Sequence, residues 1–250
     1  MNEAVPVRPA ATVLLVRDGV SGLEVFMVVR HHKIDFASGA LVFPGGSVDA
    51  GDYAIAADPA LCGPATGLDG RDRASRVAAV RETFEECGVL LARSRGFDDG
   101  LGSRIGAKPQ ARPFGEFIAA ENLELALDVL TPFAHWITPP ILPKRFDTRF
   151  YIVAAPIDQI AIHDGSESVD SVWINPSRAL AEADAGKYTL VFATRLNLQM
   201  VAQSPDAASA ITAARARRIV TVEPVAVKTE RGYTMRIPIE AGYGGGVFEV

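Results

Sequence analysis

Cysteines, export signals and long apolar runs are scarce or absent in this sequence. Its 250 residues include two cysteines, Cys62 and Cys87, without a Cys-x-x-Cys spacing. This excludes a disulfide framework and gives no support for a zinc or thiol redox site. The first residues show no basic segment followed by an apolar run, and the apolar stretches are far shorter than a membrane span. We therefore expect a folded cytoplasmic protein with no membrane partner.

An excess of positive charge is also missing. Lys and Arg total 25 against 30 Asp and Glu, so the formal net charge is −5. Long nucleic acids and anionic membranes attract basic proteins, and the composition gives no reason to expect either as a partner. A small anionic substrate stays open, because a few cations or a metal ion can reverse the charge inside one cleft.

Strand and helix patterns alternate irregularly along the chain. Period-two patterns predict strands, and apolar residues spaced by three or four predict helices. The predicted strands cover residues 11–17, 24–30, 39–43, 145–154 and 171–174, with a final hairpin over 219–228 and 233–239. The predicted helices cover residues 74–87, 114–130, 176–184, 189–203 and 206–217. This order predicts an α/β fold in one domain, with a mixed sheet and helices on both of its faces.

The most informative segment is the helix that is predicted to end at Gly88, a typical C-cap glycine. Glu82, Glu85 and Glu86 are three or four residues apart, so they project from one helix face. Like charges at this spacing repel, and a divalent cation between them would make their crowding favourable. Mg²⁺ and Mn²⁺ prefer carboxylate oxygens and bind substrate phosphates as well. Arg81 cannot be a metal ligand, but it can orient one of the carboxylates.

A Glu-rich helix face alone is usually solvated surface, but a second segment accompanies this one. A predicted strand leads into Pro44-Gly45-Gly46, where glycine lets the backbone approach an ion or phosphate closely. Together the two segments resemble the Nudix box, Gly-x5-Glu-x7-Arg-Glu-U-x-Glu-Glu-x-Gly-U, in which U is aliphatic. The matching residues are Gly46, Arg81, Glu82, Glu85, Glu86, Gly88 and Val89. Asp52 replaces the first glutamate, Thr83 stands at U, and 28 residues separate Asp52 from Arg81 where the pattern has 7.

The interrupted box resembles one branch of the superfamily. An insertion inside the box, the turn after Phe43 and the segment 144–150 are similar to the branch that contains a peroxisomal coenzyme A and acyl-CoA diphosphatase of animals. The resemblance implies a Nudix-type α/β/α sandwich with extra helices and a C-terminal hairpin. The implied organisation is a single domain over residues 1–250, with a box insertion at about 53–73, a helical elaboration at about 114–130 and a C-terminal extension at about 204–250.

The resemblance also implies an activity and a metal site. It implies a hydrolase that cleaves a diphosphate linkage in a nucleotide derivative, with coenzyme A or acyl-CoA as the suggested substrate. Mg²⁺ or Mn²⁺ would be held by Glu82, Glu85 and Glu86, with the carbonyl of Gly46 or of its neighbour Gly45. Glu85, Glu86 and Arg81 are expected to be catalytic. Dimers are common in the superfamily, so a homodimer is among the expected assemblies.

Residues outside the box complete the predicted site. The catalytic base is either a box glutamate or an acid from a later loop, for which Glu167 is the candidate because it precedes a predicted strand. Arg30, Arg145 and Arg149 lie near strand ends or on the polar side of a strand, where a guanidinium suits phosphate. We expect these three arginines to bind the substrate.

Two other functions remain open on the sequence alone. The same metal centre suits hydrolysis of ADP-ribose, NADH, a dinucleoside or a nucleoside triphosphate. A non-catalytic Nudix-fold ligand sensor is the second alternative. Such a sensor is expected to lose the box carboxylates, and this chain keeps all three glutamates. Asp52 and the long insertion are the features that leave the sensor function open.

Overall fold

Two layers of helices enclose a mixed β-sheet. The computed structural model describes residues 5–30, 39–63, 67–96, 112–163, 168–230 and 232–249. Its strands are β1 (Val7–Gly19), β2 (Gly22–Arg30), β3 (Leu41–Val42), β4 (Gly45–Ser47), β5 (Ala92–Ser94), β6 (Leu123–Leu125), β7 (Thr131–Ile137), β8 (Arg145–Ala154), β9 (Ser168–Ile174), β10 (Thr221–Val222), β11 (Val225–Thr229), β12 (Gly232–Arg236) and β13 (Val247–Glu249). Its α-helices are α1 (Ala50–Ala57), α2 (Gly70–Cys87), α3 (Phe114–Ala120), α4 (Pro176–Asp184), α5 (Phe192–Val201) and α6 (Ala207–Ala216).

The long strand β1 organises the main sheet. The strand order is β10-β7-β8-β1-β2-β3, and in addition β4 pairs with β1 and β9 with β2. β8 runs parallel to β1 along most of its length. On the opposite edge, β4 pairs antiparallel with Ala10–Thr12, and β2 pairs antiparallel with the end of β1. β4 and β2 therefore pair with successive parts of the same edge of β1. This pairing fixes the backbone of Gly45–Ser47 beside the middle of the sheet.

Both faces of the sheet are buried. In β1, Val13 and Leu15 pack into the hydrophobic cluster that includes α2, whereas Leu14 and Val16 pack into the cluster that includes α5 and α6. All four side chains have no exposed surface. Successive side chains of a strand point to opposite faces, so a strand covered on both sides has a continuous apolar run. The predicted α/β fold with helices on both sheet faces is confirmed.

The helix that carries the glutamates has well-defined ends. It begins four residues before the predicted position, because the Asp69 side chain caps it by accepting a hydrogen bond from the Asp72 amide. It ends at Gly88, which adopts the left-handed conformation with φ 73° and donates its amide to the Phe84 carbonyl. The C-cap predicted from the sequence is confirmed.

The helix predicted over 114–130 is wrong beyond residue 120. α3 ends at Ala120, and Asn122 has φ 53°, a left-handed conformation that an α-helix does not continue through. Leu123 and Leu125 then face Ser94 and Ala92 across the antiparallel pair β5–β6. Their apolar spacing suits one face of a helix, but here the side chains reach the core from a short strand and a following 3₁₀ turn.

Two further strands differ from the prediction. Residues 44–46 were expected as a glycine turn, but Gly45 and Gly46 belong to β4. β7 was not predicted at all, because Pro132 interrupts the alternating pattern and the pairing with β8 shifts register between Pro132 and Ala134. The predicted final hairpin is present as β11 and β12, but β13 extends it to three strands, and Thr221–Val222 joins the main sheet beside β7.

No helix in the described parts of the chain is long and apolar enough to cross a membrane.

Candidate active site

The guanidinium of Arg81 is the centre of the candidate site. Its Nε and Nη2 each donate to one carboxylate oxygen of Asp52 at 2.8 Å, which forms a two-point ion pair. Its Nη1 donates to Glu82 Oε1 at 2.8 Å and to Glu85 Oε2 at 2.9 Å, and its Nη2 also donates to the Ser47 carbonyl at 3.0 Å. One arginine therefore fixes two neighbouring glutamates of α2 against β4 and α1.

Asp52 contacts Arg81 although the insertion separates the two residues in the motif. Its side chain is fully buried, and it lies in the first turn of α1, where it and Asp49 cap each other's backbone amides. α1 packs against α2, so Asp52 meets Arg81 although 28 residues separate them in sequence. The shorter carboxylate and the long insertion are therefore compatible with the arginine-carboxylate pairing, because helix packing brings the two residues together.

The glycines of β4 permit close contact with the glutamates. Glu86 Oε2 accepts a hydrogen bond from the Gly45 amide at 3.0 Å. A Cβ atom on Gly45 would collide with the Ala11 carbonyl, and one on Gly46 would collide with the Glu82 carboxylate. Gly45 needs to be glycine because its backbone lies directly against β1, and Gly46 leaves room for the Glu82 carboxylate.

Burial changes the proton affinity of this cluster. Burial raises the pKa of Glu82 to about 7, in opposition to the neighbouring Arg81 charge. Burial also raises the pKa of Glu85 above its usual range, again against Arg81. For Arg81, burial would lower the pKa, but the hydrogen bond to Asp52 and the charges of Glu82 and Asp52 together raise it. Arg81 therefore stays positively charged, and Glu82 and Glu85 share its guanidinium group.

The donor chemistry of the cluster fits a hard divalent cation. Glu82, Glu85, Glu86 and Asp52 supply more negative charge than Arg81 neutralises, and carboxylate oxygen is the ligand that Mg²⁺ and Mn²⁺ prefer. Within the described ranges, however, no three His, Cys, Asp or Glu side chains are already arranged to hold a metal ion. Glu82 and Glu85 are instead drawn onto Arg81, so an ion would have to compete with that guanidinium for their oxygens.

The cluster lies at one end of a cleft of about 660 Å³. Gly45, Gly46, Arg81, Glu82 and Glu85 line its acidic end. The remaining wall is largely apolar and comes from separate parts of the chain. It includes Phe43, Trp136, Ile137, Leu142, Phe146, Phe150, Phe192 and Met235. The cleft thus combines a small charged end with a large aromatic end, the usual composition of a small-molecule site.

The structure brings some of the predicted residues outside the box to this cleft and not others. Arg30 lines it, as does Lys144. Arg145 and Arg149 do not: Arg145 is bound to Glu223 and the Thr138 carbonyl. The physical reason is strand alternation, since Phe146, Thr148 and Phe150 are the residues of β8 that face the cleft.

Arg149 faces the layer of α2 instead, where it pairs with Asp72 at 2.8 Å. Glu167, the candidate base from a later loop, lies outside the described residues. Of the three arginines predicted to bind the substrate, Arg30 therefore lines the cleft, and Arg145 and Arg149 point away from it.

The aromatic end of the cleft was not predicted from the sequence. Trp136 Nε1 donates to Tyr243 Oη at 2.9 Å, and that hydroxyl donates to Asn197 Oδ1 at 2.7 Å. Burial raises the pKa of Tyr243 to about 12, so it remains a neutral donor. The Trp136 ring also contacts Phe192 edge-on, with ring centroids 5.8 Å apart. Recognition of β7 would have identified Trp136 as inward-facing, but no local signal links it to Tyr243.

Three comparisons with known proteins agree with this geometry. The family described as the NUDT19 Nudix domain matches residues 67–190. A putative nudix hydrolase 7 of Caenorhabditis elegans is 30% identical over 169 residues, which is 67% of this chain and 52% of that protein. The human acyl-coenzyme A diphosphatase NUDT19 is 28% identical over 205 residues, covering 63% of this chain and 55% of that protein.

A solved structure extends the similarity to the whole fold. The crystal structure of a NUDIX hydrolase from Alicyclobacillus acidocaldarius aligns with a TM-score of 0.72 and 28% identity, over 84% of this chain and 97% of that one. The present chain spans about half the length of the curated relatives that it matches. The sheet topology, the Arg81-centred carboxylates and these similarities together show that the chain belongs to the Nudix hydrolase superfamily and resembles its NUDT19 group.

Proposed function

We propose that this chain is a metal-dependent pyrophosphohydrolase that cleaves the diphosphate linkage of a nucleotide derivative. The observation that carries the proposal is the placement of Glu82, Glu85 and Arg81 at the acidic end of a cleft whose other walls are apolar and aromatic. A charged end suits a diphosphate that is bound with a cation, and an apolar end suits the organic part of the substrate.

The residues proposed to hold Mg²⁺ or Mn²⁺ are Glu82, Glu85 and Glu86, with the Gly46 carbonyl. When bound, such a cation neutralises phosphate charge and lowers the pKa of a coordinated water. The chain itself fixes the ligands: Arg81 orients Glu82 and Glu85, and the Gly45 amide orients Glu86.

We assign proton acceptance from the attacking water to Glu85. Two box glutamates line the cleft, Glu82 and Glu85. The side chain of Glu85 is the more exposed of the two, at 51% against 15%. Burial raises its pKa, which brings a carboxylate closer to the proton affinity that suits a general base near neutral pH. Arg30, at the end of β2, supplies a cation to the same cleft and is proposed to bind a substrate phosphate. Glu167 remains the alternative base.

Coenzyme A or an acyl-CoA is the proposed substrate class. Two facts support it: a relative with 28% identity is named an acyl-coenzyme A diphosphatase, and the cleft has a long apolar wall that suits a pantetheine or acyl chain. ADP-ribose, NADH and nucleoside triphosphates are the competing substrates, since they would use the same carboxylates and differ only at the far wall.

The test measures product formation from coenzyme A, an acyl-CoA, ADP-ribose, NADH and a nucleoside triphosphate, each with Mg²⁺, Mn²⁺ or EDTA. The variants are Glu85→Gln and Glu167→Gln, with Glu116→Gln as the matched control because Glu116 is exposed on α3. We expect metal-dependent cleavage of one substrate, a loss of about 100-fold or more in Glu85→Gln, and full activity in the control. Tight binding without turnover would instead establish a ligand sensor.

A further inference from the structure

A second cleft lies at the opposite end of β7 from the candidate active site. Its volume is about 480 Å³, and its walls come from the start of β7, the end of α6 and the middle of α2. Three arginines line it, Arg76, Arg215 and Arg217. Such a concentration of positive charge is unexpected in a chain of net charge −5.

Arg76 is the buried member of this group. Its residue exposure is 7%, and its Nη1 donates to the Leu127 carbonyl at 2.7 Å and to the Leu130 carbonyl. The guanidinium also lies over the Tyr151 ring at 5.0 Å. Its Nε is buried and has no hydrogen-bond partner in the described residues. Burial lowers the pKa of Arg76, which reflects the cost of keeping this charge away from water.

Arg217 is held in a similar way on the other side of the cleft. Its Nη2 donates to the Phe133 carbonyl, and its guanidinium lies over the Phe133 ring at 4.7 Å. Burial lowers its pKa as well. Arg215, two residues earlier, is exposed and lines the same cleft. Carbonyl dipoles and ring faces position these guanidinium groups without neutralising them.

The two carboxylates whose charges act on Arg76, Asp72 and Asp128, are each paired with another arginine. Asp128 lines the cleft, but both of its oxygens accept hydrogen bonds from Arg93, at 2.7 and 2.8 Å. None of the ion pairs found among the described residues includes Arg76, Arg215 or Arg217. The charge of Arg76 is therefore only partly balanced, and an anion in this cleft would lower the cost of burying it.

We propose that this second cleft binds a small oxyanion, the phosphate group of a small molecule or free phosphate. Guanidinium groups match the oxygens of phosphate, and three of them line this cleft from two separate elements. The site goes beyond the proposed hydrolase function, because it shares no residue with the acidic cleft and needs no metal ion.

The test uses metal-free protein in EDTA, titrated with inorganic phosphate by calorimetry and by thermal denaturation at constant ionic strength. Without a metal ion the carboxylates of the acidic cleft repel phosphate, and the variants of Arg215 and Arg217 assign the observed binding to the second cleft. We expect saturable binding that Arg215→Gln weakens about tenfold, the value of one charge-assisted hydrogen bond. Arg217→Lys should weaken phosphate binding as well. Lysine is chosen at this position because it keeps the positive charge, so that the variant still folds.

Two controls make the outcome decisive. Arg218→Gln alters an exposed neighbour that does not line the cleft, and Glu85→Gln alters the acidic cleft; both should bind phosphate like the wild type. Titration with glycerol phosphate separates a phosphomonoester ligand from free phosphate. The proposal is overturned if phosphate does not bind saturably, if Arg215→Gln and Arg217→Lys bind as tightly as the wild type, or if only Glu85→Gln changes the affinity. None of these results depends on turnover.

Discussion

The two ends of the candidate active-site cleft are built in different ways. The acidic end comes mostly from one turn of α2, and ion pairs and hydrogen bonds between 2.8 and 3.0 Å hold it around Arg81. The aromatic end gathers β7, β8, α5 and the C-terminal sheet, and ring contacts together with the buried Trp136-Tyr243-Asn197 chain hold it. One end is a local motif, and the other exists only after folding.

The difference suggests a division of work. Carboxylates that bind a cation and a water must keep fixed angles, which directional bonds from a single arginine provide. A wall that selects among organic groups needs shape and apolar area, which packing provides. Changes at the acidic end should therefore abolish turnover, whereas changes at the aromatic end should alter substrate affinity.

The largest expected effect comes from removing the guanidinium of Arg81, which the carboxylates of the acidic end share. Arg81→Ala leaves the fully buried Asp52 without its partner, which should lower the free energy of unfolding by about 3–5 kcal/mol and abolish turnover. The double variant Arg81→Met with Asp52→Leu should regain much of the stability and none of the turnover. Chemical denaturation and the product assay would measure both. Equal stability of the single variant and the wild type would contradict a structural ion pair.

The adjacent glycines offer a sharper comparison within the acidic end. In Gly45→Ala the new methyl group meets the backbone of β1, so the free energy of unfolding should fall by about 1–3 kcal/mol or more. In Gly46→Ala it meets only the end of the flexible Glu82 side chain, so stability should change little while metal affinity falls about tenfold. Denaturation and metal titration of both variants would separate these effects, and identical losses in the two would refute the distinction.

Metal affinity should depend on pH through Glu82. Because its pKa is raised to about 7, the metal-free protein holds this proton at pH 6 and releases it by pH 8. A cation must displace the proton, so its affinity should fall about tenfold per pH unit below 7 and level off above it. Calorimetry in buffers of different ionisation enthalpy would detect the released proton. Glu82→Gln should remove this dependence and Glu116→Gln should keep it.

The same shift affects the stability of the metal-free protein. A carboxyl group whose pKa is raised on folding stabilises the fold fully below its unfolded value, here 4.5, and loses this contribution as the pH rises through about 7. The Tm of the protein in EDTA should carry a component that falls over this range, and Glu82→Gln should abolish that component. A Tm profile shared by the variant and the wild type would argue against a buried, protonated Glu82.

The smallest expected effect belongs to the aromatic end. Tyr243→Phe removes the hydroxyl that joins Trp136 to Asn197 and leaves a buried indole N–H unpaired, at a cost of about 1–3 kcal/mol. We expect the KM for the preferred substrate to rise about threefold with kcat unchanged, because Trp136 loses its fixed orientation. Tyr233→Phe, on the exposed part of β12, is the matched control. A fall in kcat at constant KM would contradict the division between the two ends.

The sequence alone was sufficient wherever the determining interactions are local. The helix of the glutamates follows from apolar residues spaced by three or four, and Gly88 ends it because glycine readily adopts a left-handed conformation. The alternation of β8 was also readable, since its side chains switch faces at every residue. The same periodicity misled over 114–130, because apolar spacing does not distinguish a helix from a turn and short strand that bury the same leucines.

Tertiary structure decided everything that depends on distant partners. Whether Asp52 reaches Arg81 across 28 residues depends on the packing of α1 against α2, and no local pattern encodes that packing. Likewise, alternation divides β8 into two faces, but only the layers packed on them show that Phe146 meets the cleft and Arg149 meets Asp72. Local propensity acts over a few residues, whereas a cleft is formed by long-range packing. The helix that carries the glutamates could therefore be predicted from the sequence, and the shape of the cleft could not.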